Sequence, residues 1–197
     1  VDVLGSLKQY ALFTSSGAVA NAATSGIVGN IGTHLGIISG FTTSTQVGSK
    51  NTANAATAQA VVDLAYAYAQ IKLLPNTVTG HLAAFGNETL LKGVYYTAGA
   101  GSLAGTITLD AQGDSDAIFV FKFNGAFSAA AQSKVILKNG ARRCNVFWTS
   151  EGATDIGTFS HMKGTIIANA GAATMAANGN LEGRLLSTAG AIGFSTG

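Results

Sequence analysis

The feature that most restricts what this chain can fold into is a 19-residue echo near its C-terminus. Asn145, Gly164 and Gly183 are spaced by 19, and their neighbours keep step. Phe147 aligns with Ile166 and Leu185, Trp148 with Ile167 and Leu186, and Ile156 with Met175 and Phe194. Apolar side chains that return once per coil are what a β-solenoid requires, because each coil buries its inward residues on those of the next. Such a fold builds flat faces of regularly spaced side chains, which suit extended or repetitive ligands.

Composition supports this and removes several alternatives. The 197 residues are enough for one domain with a sizeable core, and residues 1–197 are read as one. Charged residues are only 10% of the chain, against roughly 25% in ordinary soluble domains. A net charge of +2 with scattered Lys and Arg forms no basic stripe, so nucleic acid is not an expected partner. No apolar run approaches the roughly 18 residues of a membrane span. Ala, Gly, Ser and Thr dominate instead, as tight turns and close coil stacking demand. The single cysteine, Cys144, has no internal disulfide partner and reads as a small buried apolar group beside Val146-Phe147-Trp148. The chain opens at Val1 without a signal peptide, which fits a processed secretory product and a trimmed chain equally.

Short strands and turns are expected over residues 1–47, including 10–13 and 27–32. From about residue 50 to 73 glycine disappears, Ala and Gln accumulate, and Pro75 ends the stretch. Val61, Leu64, Tyr68 and Ile71 recur at helical spacing, so this is one long amphipathic helix. Val62, Tyr66, Ala69 and Leu73 would widen its apolar stripe. Strands resume at 93–96, 105–109, 117–123 and 134–137, bounded by turn pairs such as Asn124-Gly125 and Asn139-Gly140.

The strands sort by face. Val146-Phe147-Trp148, Ile166-Ile167 and Leu185-Leu186 are consecutive apolar residues, so both sides of that face need cover. The helix is the available cover, and Val61, Leu64 and Tyr68 should lie near Phe147, Ile167 and Leu186. Around Asp155 the pattern alternates: Ile156, Met175 and Phe194 point inward, while Asp155, Thr174 and Gly193 point outward. A third side carries Lys163 and Glu182 one coil apart. One face is therefore covered, one charged, and one open and nearly uncharged.

Several segments carry a specific likeness. They include Gly93-Val94-Tyr95, the run from Gly105 to Asp114 and Ala117 to Phe121, then Asn139-Gly140-Ala141-Arg142-Arg143-Cys144-Asn145-Val146-Phe147-Trp148. Lys163 to Ile166, Gly183-Arg184, the opening Val1 to Gly5 and the strand Ile27 to Gly32 fit as well. On these residues the chain resembles the DUF3494, or type 1, ice-binding proteins of cold-adapted microbes along essentially its whole length. The resemblance implies a mostly β fold, a discontinuous triangular β-helix with one long helix packed along a face. It implies secretion, no catalysis and no cofactor, with ice as the partner of a monomer that adsorbs through its uncovered face. Many members carry outward Thr or Ser there, whereas this chain offers mostly Ala and Gly, and one charge, Asp155.

The ice-contacting residues expected are Ala153, Asp155 and Gly157; Ala172, Thr174 and Ala176; and Ala191, Gly193 and Ser195. Ala129 and Ala131 are weaker candidates, because the longer turn around Arg142 is expected to break the register. N-terminal strands near Thr24 are expected to extend the face, in a phase the sequence leaves open. Asp110, Asp114 and Asp116 lack the alternating ligand pattern and distant Glu of a calcium loop. His34, His81 and His161 have no metal-ligand spacing, and Ser160-His161 lacks a nucleophile elbow. Arg142-Arg143 reads as a solvated turn. A polysaccharide lyase would need acids and bases converging in a groove, and no acid here is echoed by another at coil spacing. The remaining rival is a non-catalytic structural or adhesion module of the same fold.

Overall fold

The computed structural model describes residues 3–195, so Val1 and Asp2 of the opening segment lie outside the described residues. A 3-10 turn at Gly5–Gln9 leads into strands β1 (Tyr10–Ser16), β2 (Val19–Asn21), β3 (Gly26–Val28), β4 (Asn30–Leu35), β5 (Ile38–Ser39), β6 (Thr45–Val47) and β7 (Lys50–Thr52). The helix α1 (Ala55–Leu73) follows. Next come β8 (Ala84–Phe85), β9 (Glu88–Leu91), β10 (Gly93–Thr97), β11 (Gly101–Leu103), β12 (Thr106–Asp110), β13 (Phe119–Phe123), β14 (Phe127–Ala129) and β15 (Lys134–Lys138). The chain ends with β16 (Val146–Ser150), β17 (Thr154–Ile156), β18 (His161–Ala168), β19 (Ala173–Met175), β20 (Asn180–Ser187) and β21 (Ile192–Phe194).

Successive strands take turns on three faces, and their ladders are parallel. The covered face runs β10-β13-β16-β18-β20-β1-β4-β7, and the open face β8-β11-β14-β17-β19-β21-β2-β5. The third face holds β9, β12 and β15, the first halves of β18 and β20, and the separate pair β3-β6. The order is discontinuous: β1 pairs with β20, Leu12 opposite Leu185 and Phe13 opposite Leu186. The N-terminal coils therefore stack on the C-terminal one. The chain must then return to the far end of the stack, and α1 makes that crossing. Its 19 residues span about 28 Å. The eight stacked strands of the covered face span roughly 34 Å at the inter-strand spacing.

Inside, one column of the covered face reads Tyr95, Phe121, Trp148, Ile166, Leu185, Leu12 and Ile31 in register. Phe121 stacks on Trp148 with centroids 4.0 Å apart, and on Tyr95 at 5.2 Å. The echo in the sequence is one residue out at this point. It aligns Phe147 with Ile166, but the true partner of Ile166 is Trp148, and Phe147 lies opposite Thr165. The corner after β16 is one residue shorter than the next, since Ser150 pairs with Ala168 but Thr154 with Ala173.

The helix starts at Ala55 rather than near residue 50, because Lys50–Thr52 pairs with β4 and closes the last coil. Asn54 caps it: its side chain accepts from the Thr57 amide at 2.9 Å, and its own amide donates to Thr57 Oγ1 at 2.9 Å. Pro75 holds Leu74 extended and ends it. The buried face is Ala60, Leu64, Ala67 and Ile71, packed with Phe13, Val94, Val120, Phe147, Ile167 and Leu186. Val61 and Tyr68 flank it half-buried. The expected widening is absent: Val62, Tyr66, Ala69 and Leu73 are exposed. A helix lying on a flat sheet covers only its lower stripe, and these residues sit on the far side.

Two charged groups clamp the end of α1. Lys122, only 3% exposed, donates to the carbonyls of Leu74 at 2.7 Å and Lys72 at 3.3 Å, where the helix dipole favours a cation. Glu151 receives Lys72 at 2.5 Å, Asn169 at 2.8 Å and the Tyr68 hydroxyl. Burial alone would raise its pKa, but these hydrogen bonds and the Lys72 charge bring it down to about 2.

Two predictions follow from the helix contacts. Replacing the fully buried Leu64 with Ala should cost about 2–5 kcal/mol in denaturant unfolding. A cost near zero would mean that the helix is not part of the core. The Glu151 pKa is depressed on folding, so its contribution is present above its ordinary value of 4.5 and is lost as pH falls through about 2. Acid titration of stability should show a loss in that window which Glu151→Gln lacks, and parallel curves would refute the clamp.

Candidate functional site

The open face is built from three-residue strands whose middle side chain points out and whose flanking pair points in. In β17 Thr154 and Ile156 are buried while Asp155 is exposed, and β19, β21, β2 and β14 repeat the pattern. Register links the outward residues into one ladder across all eight strands: Ala84, Ser102, Ser128, Asp155, Thr174, Gly193, Ala20 and Ser39. The columns on either side are held in step by backbone bonds between coils. Phe127, Thr154, Ala173, Ile192 and Val19 donate to the carbonyls of Ala153, Ala172, Ala191, Ala18 and Ile37. On the other side the amides of Ala130, Gly157, Ala176, Ser195 and Ala22 donate to the neighbouring coil. Columns lie about 6.5–7 Å apart and rows about 4.7–4.9 Å apart.

The nine residues expected from sequence fall on this face in three rows. Asp155, Thr174 and Gly193 form adjacent rungs of the central ladder; Ala153, Ala172 and Ala191 line one side, and Gly157, Ala176 and Ser195 the other. Sequence reasoning missed the preceding rows. Ala129 is buried and paired with Ile156, so the outward residue of β14 is Ser128. The register is not broken there, because the extra residues form the loop from Asn139 to Asn145, away from this face. Ala131 is exposed but lies in the corner turn itself, beyond β14. At the other end the face continues through Ala20 and Ser39. Thr24 lies past the next corner, with its hydroxyl 3.4 Å from that of Thr43, one 19-residue step away.

Buried hydroxyls hold both corners of the face. Thr14 donates to the Gly190 carbonyl at 2.7 Å, Thr33 to Gly17 at 2.7 Å and Ser187 to Gly171 at 2.7 Å. At the opposite corner Ser133 and Ser160 donate to Ala130 at 2.7 and 3.0 Å. Corner backbones approach so closely that a Cβ on Gly171 would stand 2.4 Å from the coil beneath. Glycine at this corner is thus a packing requirement. On the face itself the one charge, Asp155, accepts a hydrogen bond from the Thr174 hydroxyl at 2.5 Å.

The other chemical groups are engaged elsewhere. Asp110 accepts from Gln112 and Asn139, and Asp114 from Lys92 and Asp116. These bonds hold both carboxyl pKa values below the ordinary range. His34 contacts Thr57, and His81 stacks on Phe85 and meets Glu88 at 3.1 Å. No cluster of metal-ligating side chains occurs among the described residues. Cys144 is exposed, not buried as its neighbours suggested, because it lies in the turn before β16. Arg143 reaches Glu182 at 3.4 Å, and Glu182 also pairs with Lys163 on the charged face.

The ice-binding-like family model matches residues 13–196. The chain belongs to that family. It is 32% identical over 200 residues to an ice-binding protein of Nostoc sp. (strain HG1), covering 100% of this chain and 72% of that protein. Among solved structures it resembles an ice-binding protein of an Antarctic Flavobacteriaceae bacterium, with a TM-score of 0.91, 40% identity and coverage of 98% of this chain and 45% of that one. It also resembles that of the ascomycete Antarctomyces psychrotrophicus, with a TM-score of 0.90, 30% identity and coverage of 98% and 96%. The likeness read from sequence and the mostly β, one-helix fold are thereby borne out.

Proposed function

We propose that this chain binds ice through the open face, as a non-catalytic, secreted, monomeric antifreeze module spanning residues 1–197. The observation that carries this reading is the continuous central ladder of small outward side chains over eight parallel strands, flanked by small residues at β17, β19 and β21, with a single charge in the ladder. Small methyls and hydroxyls neither protrude nor hold bulk water tightly, so the face can order water in a pattern that a crystal plane continues. A face already rigid in its backbone loses little conformational entropy on adsorption, so many weak contacts sum to useful affinity. Protein pinned to the surface curves the advancing ice front and slows growth and recrystallisation.

The ice-contacting set comprises Ala153, Asp155, Gly157, Ala172, Thr174, Ala176, Ala191, Gly193 and Ser195, extended by Ser102, Ser128 and Ala20 on the same ladder. Thr174 has a specific part. Its hydroxyl donates to Asp155, which engages one oxygen of the only charged group in the ladder. The rival reading, a structural or adhesion module without strong ice affinity, draws on that same charge and on the scarcity of Thr.

Thermal hysteresis and melting temperature together test the assignment. Ala176→Tyr, Thr174→Tyr and Ser128→Tyr should each sharply reduce hysteresis with melting temperature nearly constant, because the added ring projects from the face. Lys163→Tyr on the charged side should change little, since an exposed ion pair contributes about 0–1 kcal/mol. Equal losses from both groups of variants would remove the open face as the binding surface. Asp155→Thr should raise hysteresis, and a fall would show that the carboxylate takes part in binding.

A further inference from the structure

An asparagine followed by glycine is open to reaction of the chain with itself, because glycine has no side chain to shield its amide from the neighbouring carboxamide. Three such pairs occur: Asn124-Gly125, Asn139-Gly140 and Asn178-Gly179. All three asparagines are exposed, so sequence and accessibility do not rank them. Hydrogen bonding does. The Asn139 Nδ2 donates to both Asp110 oxygens at 2.8 and 3.0 Å, and the Ala141 amide closes a turn around the pair on the Lys138 carbonyl at 3.1 Å. At Asn178 the attacking group is engaged, since the Gly179 amide donates to the Ala176 carbonyl at 3.2 Å.

The corner between β13 and β14 has neither restraint. Among the described residues the Asn124 carboxamide has no hydrogen-bond partner, and the Gly125 amide donates to none. The flanking backbone is nonetheless fixed: the Asn124 amide donates to Thr97 at 2.9 Å, and the Gly125 carbonyl accepts from Glu151 at 3.1 Å.

We propose that Asn124 is a site of self-modification, the first of the three asparagines to deamidate in the folded chain. The Gly125 amide nitrogen, after losing its proton to hydroxide, adds to the Asn124 side-chain carbonyl carbon. The new Cγ–N bond closes a five-membered succinimide. The Cγ–Nδ2 bond breaks, and Nδ2 leaves as ammonia with a proton from water, which restores the hydroxide. A second water then opens the ring. Attack at the side-chain carbonyl gives aspartate; attack at the main-chain carbonyl gives isoaspartate, whose main chain runs through the former side-chain methylene.

Either product sets a carboxylate beside Glu151. Phe123 pairs with Ser150, so residues 124 and 151 follow them on adjacent coils, about 4.8 Å apart along the stack. Like charges so placed repel, and Glu151 is the group that ties Lys72 and Tyr68 of α1 to this corner. Isoaspartate also adds a carbon to a corner without slack, where a Cβ on Gly125 would already stand 2.7 Å from the Ala100 amide. The extra length falls between Phe123 on the covered face and Phe127 on the open one. This inference does not depend on ice binding.

The 197-residue chain, held in mildly alkaline buffer and mapped by peptide mass spectrometry, tests it. Folded, Asn124 should deamidate about five to ten times faster than Asn139 or Asn178, the factor that one hydrogen bond of ordinary net strength supplies. In denaturant the three rates should converge, since the restraints are gone. Asn139 or Asn178 leading in the folded chain, or rate ratios unchanged by denaturant, would overturn the assignment. Asn124→Gln is the control, because its longer side chain must close a six-membered ring, which is slower. Melting temperature should fall as isoaspartate accumulates in the parent chain and hold steady in Asn124→Gln aged alongside it. The same change in both, including none, would overturn the effect assigned to this corner. Thermal hysteresis of fresh protein reports separately on the open face.

Discussion

The fold depends on the parallel pairing of β1 with β20, a non-covalent joint between residues 173 positions apart, such as Leu12 opposite Leu185. It places the N-terminal coils on top of the C-terminal ones and so obliges the chain to cross the length of the stack. That crossing is α1, and its buried stripe closes the second core between helix and sheet. The same joint carries the open face through Gly193 to Ala20, so the face spans eight strands instead of the six contributed by residues after the helix. Among the described residues no strand pairs between β20 and β3 on the third face, because the 3-10 turn before β1 lies against the helix instead.

What the sequence disclosed is what repeats locally. Successive coils of 18 and 19 residues expose their period, so Ile156, Met175 and Phe194 could be placed inside and Asp155, Thr174 and Gly193 outside. One coil earlier the step grows to 27 residues, as Phe127 to Thr154 shows, and the period disappears although the stacking does not. The surplus sits in the loop on the third face, so Ser128 stayed hidden behind its inward neighbour Ala129. The phase of the N-terminal strands was illegible for another reason. It is set by the β1–β20 joint, a long-range contact with no local pattern. The helix posed the opposite problem. Its apolar residues surround it, and only contact with a flat sheet selects Leu64 over Val62.

Small residues in this chain answer to two separate demands, and the structure allows them to be divided. At the corner before β19 and β21, Gly171 and Gly190 sit where backbones nearly touch, and a side chain there would collide with the coil beneath. Those positions would be small in any coil wound this tightly. The outward residues of the central ladder are under no such constraint. Asp155 and Ser128 are exposed, and even at Gly193 a Cβ would meet nothing closer than the Thr174 methyl at 3.4 Å. Larger side chains would fit there, yet eight outward positions hold only Ala, Ser, Thr, Gly and a single Asp. Coil packing therefore does not account for the smallness of the central ladder, although it does at Gly157 beside it, where a Cβ would stand 2.6 Å from the Ala131 amide. Under the proposed reading, a ligand that approaches the whole ladder at once accounts for its small side chains, and the buried hydroxyls at both corners hold the shape that such a ligand would meet.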